Sequence, residues 1–216
     1  MKTCYIICGG PESCKTVRIP KDTFIICADS GYDKALAAGI TPDLILGDFD
    51  SIENKLPQNI EILRSPTHKD DTDTMLAVRT ALSRGYDSIA LVSACGGRTD
   101  HTLANIATLL FIREHGANAF IKGDTTDVYI LEDEKITLLP DLSRYLSVFA
   151  VSDKATVSIT GAEYPLKDYV MERSFPIGVS NEFIADTDCT VEIKSGLAVV
   201  MTVKRGSLSI VGVRKK

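Results

Sequence analysis

Two aspartates two positions apart, Asp48 and Asp50, close the stretch Leu44-Ile45-Leu46-Gly47-Asp48-Phe49-Asp50-Ser51. A short apolar run ends there in a glycine and two carboxylates. If the extended backbone continues through them, both side chains project to one side and can share a hard cation through oxygen ligands. The same residues also suit a plain polar turn, since Gly, Asp and Ser are ordinary turn formers.

Three further groups could join them. Asp70, Asp71 and Asp73 crowd the start of an expected helix, where the helix dipole favours carboxylates and Thr72 or Asp71 can cap. Three carboxylates within four residues repel one another unless some face solvent or a cation. Gly96-Gly97-Arg98 precedes another helix, and glycines, free N–H groups and a forked guanidinium together make a phosphate cradle or, more plainly, a flexible turn. The spacing is not that of a P-loop. His101 and Asn105, one helical turn apart, share a face behind that turn.

The elements that must position these groups alternate strand with helix. Apolar runs at 3–8, 23–28, 43–46, 60–63, 88–94 and 117–121 read as strands, with helices after Gly31, before Gly85 and from about 99 to Glu114. The stretch 88–94 is apolar throughout, as in a strand buried on both faces. On the last helix Leu103, Ile106, Ala107, Leu110 and Phe111 are expected to face the core. Such alternation predicts an α/β domain with a Rossmann-like, mostly parallel sheet over residues 1–123. Ligands in these sheets bind beyond the carboxyl ends of the strands, where the stretches 29–31, 47–51 and 96–101 all fall. Residues 124–216 carry short strands without helices and predict an antiparallel β-sandwich domain, including a last strand at 208–213.

Composition bounds the rest. At 216 residues, 44% hydrophobic and 25% charged, the chain can bury the core of one large or two small domains. A net charge of -5 argues against nucleic acid as a partner, because a polyanion needs a basic face. The N-terminal apolar run is too short for a signal peptide and no run of about 18 apolar residues exists, so no membrane partner and a cytoplasmic location are expected. Six cysteines, with no Cys-x-x-Cys pair, read as buried reduced thiols.

Taken together, Ala28-Asp29-Ser30-Gly31, Pro42-Asp43 with Gly47-Asp48-Phe49-Asp50-Ser51, Asp70-x-Thr72-Asp73 and Gly96-Gly97-Arg98-x-Asp100-His101-x-x-x-Asn105 resemble the thiamine pyrophosphokinase family in order and spacing. Val179-Ser180-Asn181-Glu182-Phe183 resembles, less specifically, the family's thiamine-contacting segment. The resemblance implies transfer of the pyrophosphoryl group of ATP to the hydroxyl of thiamine, giving thiamine diphosphate and AMP. It also implies a homodimer with active sites at the subunit interface. By motif, Asp48, Asp50 and Asp73 would hold Mg²⁺, with Asp29 nearby. These three with Arg98 and Asp100 form the expected catalytic set. Asp29, Lys69, Arg98, Asp100, His101 and Asn105 would serve the nucleotide, and Ser180, Asn181 and Phe183 the thiamine. Ser30 stands where the family often has glycine, and Lys69 where some members have glutamine. Two other readings fit parts of the pattern: an Asp-x-Asp phosphatase with Asp48 as nucleophile, and a nucleotide or thiamine sensor without catalysis.

Overall fold

The computed structural model describes residues 1–65 and 71–206. Lys69 and Asp70, His68 and the expected strand at 208–213 lie outside the described residues. The chain divides into two compact units, the first Met1–Leu131 and the second from Glu132 onward.

The first unit is built on strands β1 (Thr3–Ile7), β2 (Phe24–Ala28), β3 (Leu44–Gly47), β4 (Glu61–Arg64), β5 (Ser88–Val92), β6 (Asn118–Lys122) and β7 (Thr126–Glu132). Their order across the sheet is β7-β6-β5-β1-β2-β3-β4. All neighbouring pairs from β6 to β4 are parallel; β7 returns antiparallel to β6. Helices α1 (Gly31–Ala37), α2 (Asp73–Ser83) and α3 (Thr99–Glu114) connect them. As the apolar run predicts, β5 is buried at every residue; β3 is too, and β1 at all but its first. Each fully buried Ile or Leu of these strands contributes about 1.5–3 kcal/mol, so the central strands form a stiff platform. The order runs outward from β1 to β4 on one side and from β5 to β6 on the other, placing the switch point between β1 and β5, where open α/β sheets form their ligand crevice.

Helix α3 corrects one expectation. Its buried residues are Thr108, Leu109 and Ile112, while Leu103 is 67% exposed. The helix is apolar on more than one side, so spacing alone does not single out the stripe that meets the sheet. Turning Asn105, Thr108, Leu109 and Ile112 inward directs Asn105 to the end of β5, where its Nδ2 donates to the Ala94 carbonyl at 2.8 Å.

The second unit holds two antiparallel sheets. One contains β12 (Asn181–Glu182), β9 (Arg144–Ala150) and β14 (Leu197–Lys204) in that order; the other runs β11 (Leu166–Glu172), β10 (Lys154–Thr160), β13 (Cys189–Ser195), β8 (Lys135–Leu138). Alternate residues turn inward, Leu146 and Val148 from one sheet and Val157, Ile159, Val191 and Ile193 from the other, giving a β-sandwich-like core. The fold class read from the sequence therefore stands, as an α/β unit followed by an antiparallel sandwich-like unit. Strand β11 gave no sequence signal, since Met171 alone of its seven residues is buried and no apolar alternation marks it. All six cysteines are buried and free.

Candidate active site

Strand β3 ends at Gly47, and the extended backbone does not continue through the acidic pair. Gly47 has φ +148° and packs so closely on the next loop that a Cβ there would lie 3.2 Å from Asp29 Cα. Phe49 has φ +68°, in the left-handed region, which costs a side-chain-bearing residue about 1–2 kcal/mol. The expectation that Asp48 and Asp50 converge because a strand alternates is thus corrected: a turn brings them together. The Asp50 N–H donates to Asp48 Oδ1 at 3.2 Å, and Ser51 Oγ donates to Asp50 Oδ1 at 2.8 Å.

Asp29 completes the group. It follows β2 in a left-handed conformation of its own, φ +49°, with its N–H donating to the Leu46 carbonyl at 2.8 Å. One oxygen each of Asp29, Asp48 and Asp50 lies within 4.8 Å of the others. Asp29 and Asp48 are half-buried and Asp50 is exposed. Asp29 Oδ1 is buried with no hydrogen-bond partner among the described residues. Burial, then the charges of Asp73 and Asp48, push the Asp29 carboxyl above its ordinary value, against hydrogen bonds from the Ser30 N–H and Ser51 that pull it down. Hard oxygen donors in mutual repulsion, one with an orphaned buried oxygen, fit a divalent cation such as Mg²⁺.

Asp29 also lines a cavity of about 430 Å³ at the switch point. Its walls come from the turn after β1 (Cys8 to Pro11), the start of α2 (Thr72 to Thr74) and the β5–α3 turn with the first helical turns (Ala94, Gly96, Arg98, His101, Asn105). Asp73 faces this cavity from the first turn of α2, which Thr72 caps by accepting the Met75 N–H at 3.1 Å. It acts on Asp29 by charge but stands outside the three-carboxylate cluster. Gly96 and Gly97 both take left-handed conformations, φ +87° and +64°, which turns the chain into α3. The start of α3 carries no side-chain cap, so it offers N–H groups as the sequence anticipates for a phosphate cradle.

Arg98 and Asp100 are both exposed and form a bidentate pair, Nε to Oδ1 at 3.1 Å and Nη2 to Oδ2 at 2.6 Å. The guanidinium holds the Asp100 carboxyl down, to about 2. Arg98 reaches the cavity wall and Asp100 does not. His101 lines the cavity, and its N–H donates to Asp100 Oδ1 at 3.0 Å. The turn Cys8 to Pro11 was missed as a binding element, although Gly9-Gly10 directly after the first strand is the signal that marks such a turn.

In the second unit the three residues expected at thiamine differ in exposure. Ser180 is exposed, at φ +61°, with its N–H donating to Ser147 Oγ at 3.1 Å. Asn181 is 8% exposed: its Oδ1 accepts from the N–H groups of Tyr164 (3.0 Å) and Glu182 (2.8 Å), and its Nδ2 donates to the Tyr164 carbonyl at 2.8 Å. Phe183 is buried and pairs with Ala162 through a β-bridge. Replacing Asn181 by Ala strands these backbone groups and is expected to cost about 2 kcal/mol or more, read as a fall in melting temperature of at least about 4 °C. An unchanged melting temperature would refute the structural role of this amide.

Comparison with known proteins converges on one family. The family model described as thiamin pyrophosphokinase, catalytic domain, matches residues 18–121, and that of the vitamin B1 binding domain matches residues 132–198. Thiamine pyrophosphokinase of Bacillus subtilis is 32% identical over 205 residues, 85% of this chain and 91% of its own. A crystal structure of thiamine pyrophosphokinase from Bacillus subtilis superposes with a TM-score of 0.85 at 27% identity, over 95% of this chain and all of that one. A thiamin pyrophosphokinase structure from Geobacillus thermodenitrificans gives 0.79 at 25% identity, over 95% and 99%. These relatives do not favour the phosphatase and sensor readings. With both domain models matched in order and a relative at this identity along most of its length, the chain belongs to the thiamine pyrophosphokinase family.

Proposed function

We propose that this chain carries out the reaction of its family, moving the β,γ-pyrophosphoryl group of ATP to the hydroxyl of thiamine and releasing AMP, with Mg²⁺ held by Asp48 and Asp50 together with Asp29. The observation that carries the reading is that Asp29 belongs both to the carboxylate cluster and to the wall of the cavity. Cation and triphosphate thereby share one edge of the sheet. Asp73, facing the same cavity, is the next carboxylate toward the cation.

The chemistry asks the protein for positioning and charge neutralisation more than for covalent participation. When bound, Mg²⁺ supplies neutralisation of the phosphate oxygens and of the AMP leaving group. The start of α3 and Arg98 hold the phosphate chain by N–H groups and a forked cation, while His101 and Asn105 close the wall beside them. Asp100 fixes the Arg98 guanidinium by its bidentate pair. The thiamine hydroxyl attacks the β-phosphorus in line and gives up its proton to solvent water, the bond from that phosphorus to the oxygen bridging it to the α-phosphate breaks, and AMP departs with that oxygen.

The division of labour belongs to the same reading. Nucleotide and cation lie in the first unit, and the second unit reads the vitamin through the region of Ser180. A homodimer is supported by exposed apolar residues Phe175, Ile177 and Val179 in the second unit, which a partner subunit would cover. A cytoplasmic location is supported by six buried free thiols. No helix among the described residues is long and apolar enough to cross a membrane.

ATP labelled at the γ-phosphate, incubated with thiamine, Mg²⁺ and the purified chain, is expected to pass its label to thiamine diphosphate with one AMP formed per label transferred. Label released as free phosphate, or ADP as the nucleotide product, would refute the reaction.

A further inference from the structure

Phe49 stands between the two aspartates in a conformation that side-chain-bearing residues avoid, and its side chain accounts for its being there. The ring packs, half-buried, against the core cluster that includes Tyr32, Cys27 and Ile45 under α1 and the sheet. The Arg64 guanidinium, at the end of the neighbouring β4, sits over the ring, 5.0 Å from its centroid. Ile52, Leu56 and Ile60, which follow the motif, pack against the same cluster.

We propose that Phe49 is the positioning residue of the carboxylate cluster: its core-anchored ring holds a left-handed backbone that turns Asp48 and Asp50 together toward Asp29. The inference rests on the cation reading of those three carboxylates given above. Without an anchor, the stretch from Gly47 to Ser51 would be a free turn, and its carboxylates would relax apart to relieve their repulsion. A glycine at position 49 would accept the left-handed backbone more readily than Phe, yet would lack the anchor. Ease of conformation and preorganisation therefore pull in opposite directions here. A leucine keeps much of the apolar anchor and loses the face that Arg64 covers.

The test uses the full chain and Mn²⁺ alone, titrated by the loss of the free-ion electron paramagnetic resonance signal, with thermal unfolding followed in parallel. Phe49→Gly is expected to weaken Mn²⁺ binding about tenfold or more while unfolding stays cooperative, and Phe49→Leu to stay within about threefold of the unsubstituted protein. Should Phe49→Gly fail to fold, Phe49→Ala carries the same comparison against Phe49→Leu. Unchanged Mn²⁺ affinity in the folded glycine or alanine variant overturns the role of Phe49 and leaves the cation reading standing. Absence of Mn²⁺ binding by the unsubstituted protein overturns the cation reading itself.

Discussion

Asp48→Asn is expected to lower kcat for pyrophosphoryl transfer by about a thousandfold or more, the scale on which removal of one charge-stabilising group acts in a preorganised site. The substitution is nearly isosteric. Asp48 is only half-buried, and its Oδ1 accepts a hydrogen bond from the Asp50 N–H that an Asn side-chain carbonyl can also accept. The fold should therefore survive, with melting in the absence of cation unchanged or slightly raised as repulsion within the cluster falls. Asp73→Asn should also abolish turnover, because that carboxylate faces the same cavity and bears on Asp29. Steady-state kinetics with circular dichroism checks both, and unchanged rates in the two variants would remove the cation site from the account.

Asp29→Asn should separate stability from activity most sharply. The carboxyl is raised first by burial and then by the neighbouring charges of Asp73 and Asp48. For a carboxyl raised on folding, the folded state binds protons more readily than the unfolded chain, so the ionised form is a cost to stability. That cost is present above the folded pKa and is relieved as pH falls through it. A bound divalent cation removes it at neutral pH. The unsubstituted protein should thus gain melting temperature from Mg²⁺, with a gain that grows as pH rises through the carboxylate range. Asp29→Asn should melt higher than the unsubstituted protein without cation at neutral pH, because the substitution removes a charge that is first desolvated by burial and then repelled by Asp73 and Asp48. It should lose most of the Mg²⁺-dependent gain and most of the activity. Differential scanning calorimetry across pH, with and without Mg²⁺, reads all three. A lower melting temperature in Asp29→Asn would contradict the repulsion on which the cation site rests.

Much of this arrangement is legible in the sequence. The strands of the first unit are apolar runs bounded by Gly, Asp and Pro, and Gly39 and Gly85 stop α1 and α2 where the pattern predicts. Residues that follow strands in a parallel sheet must gather on one edge, so Asp29, Asp48 and Gly96 could be placed together from topology alone. What could not be read is how the chain turns there. The convergence of Asp48 and Asp50 was expected from strand alternation and arises instead from Gly47 and Phe49, since a sequence does not announce which non-glycine residue takes a left-handed backbone. Asn181 shows a second kind of limit. Its motif points to a ligand, but its amide is engaged by the adjacent Glu182 N–H and, across 17 residues of chain that no local pattern bridges, by the N–H and carbonyl of Tyr164. Nor does spacing single out the stripe of α3 that faces the sheet, because the helix is apolar on several sides.

The most direct test of the central claim is an anomalous difference map from crystals of the chain soaked with Mn²⁺ and a non-hydrolysable ATP analogue. The account predicts one or more Mn²⁺ peaks bonded by Asp48 and Asp50 with Asp29, and the analogue's phosphates lying between those peaks and the Gly96-Gly97-Arg98 turn. Mn²⁺ bound away from these carboxylates, or a nucleotide seated outside this cavity, would contradict it.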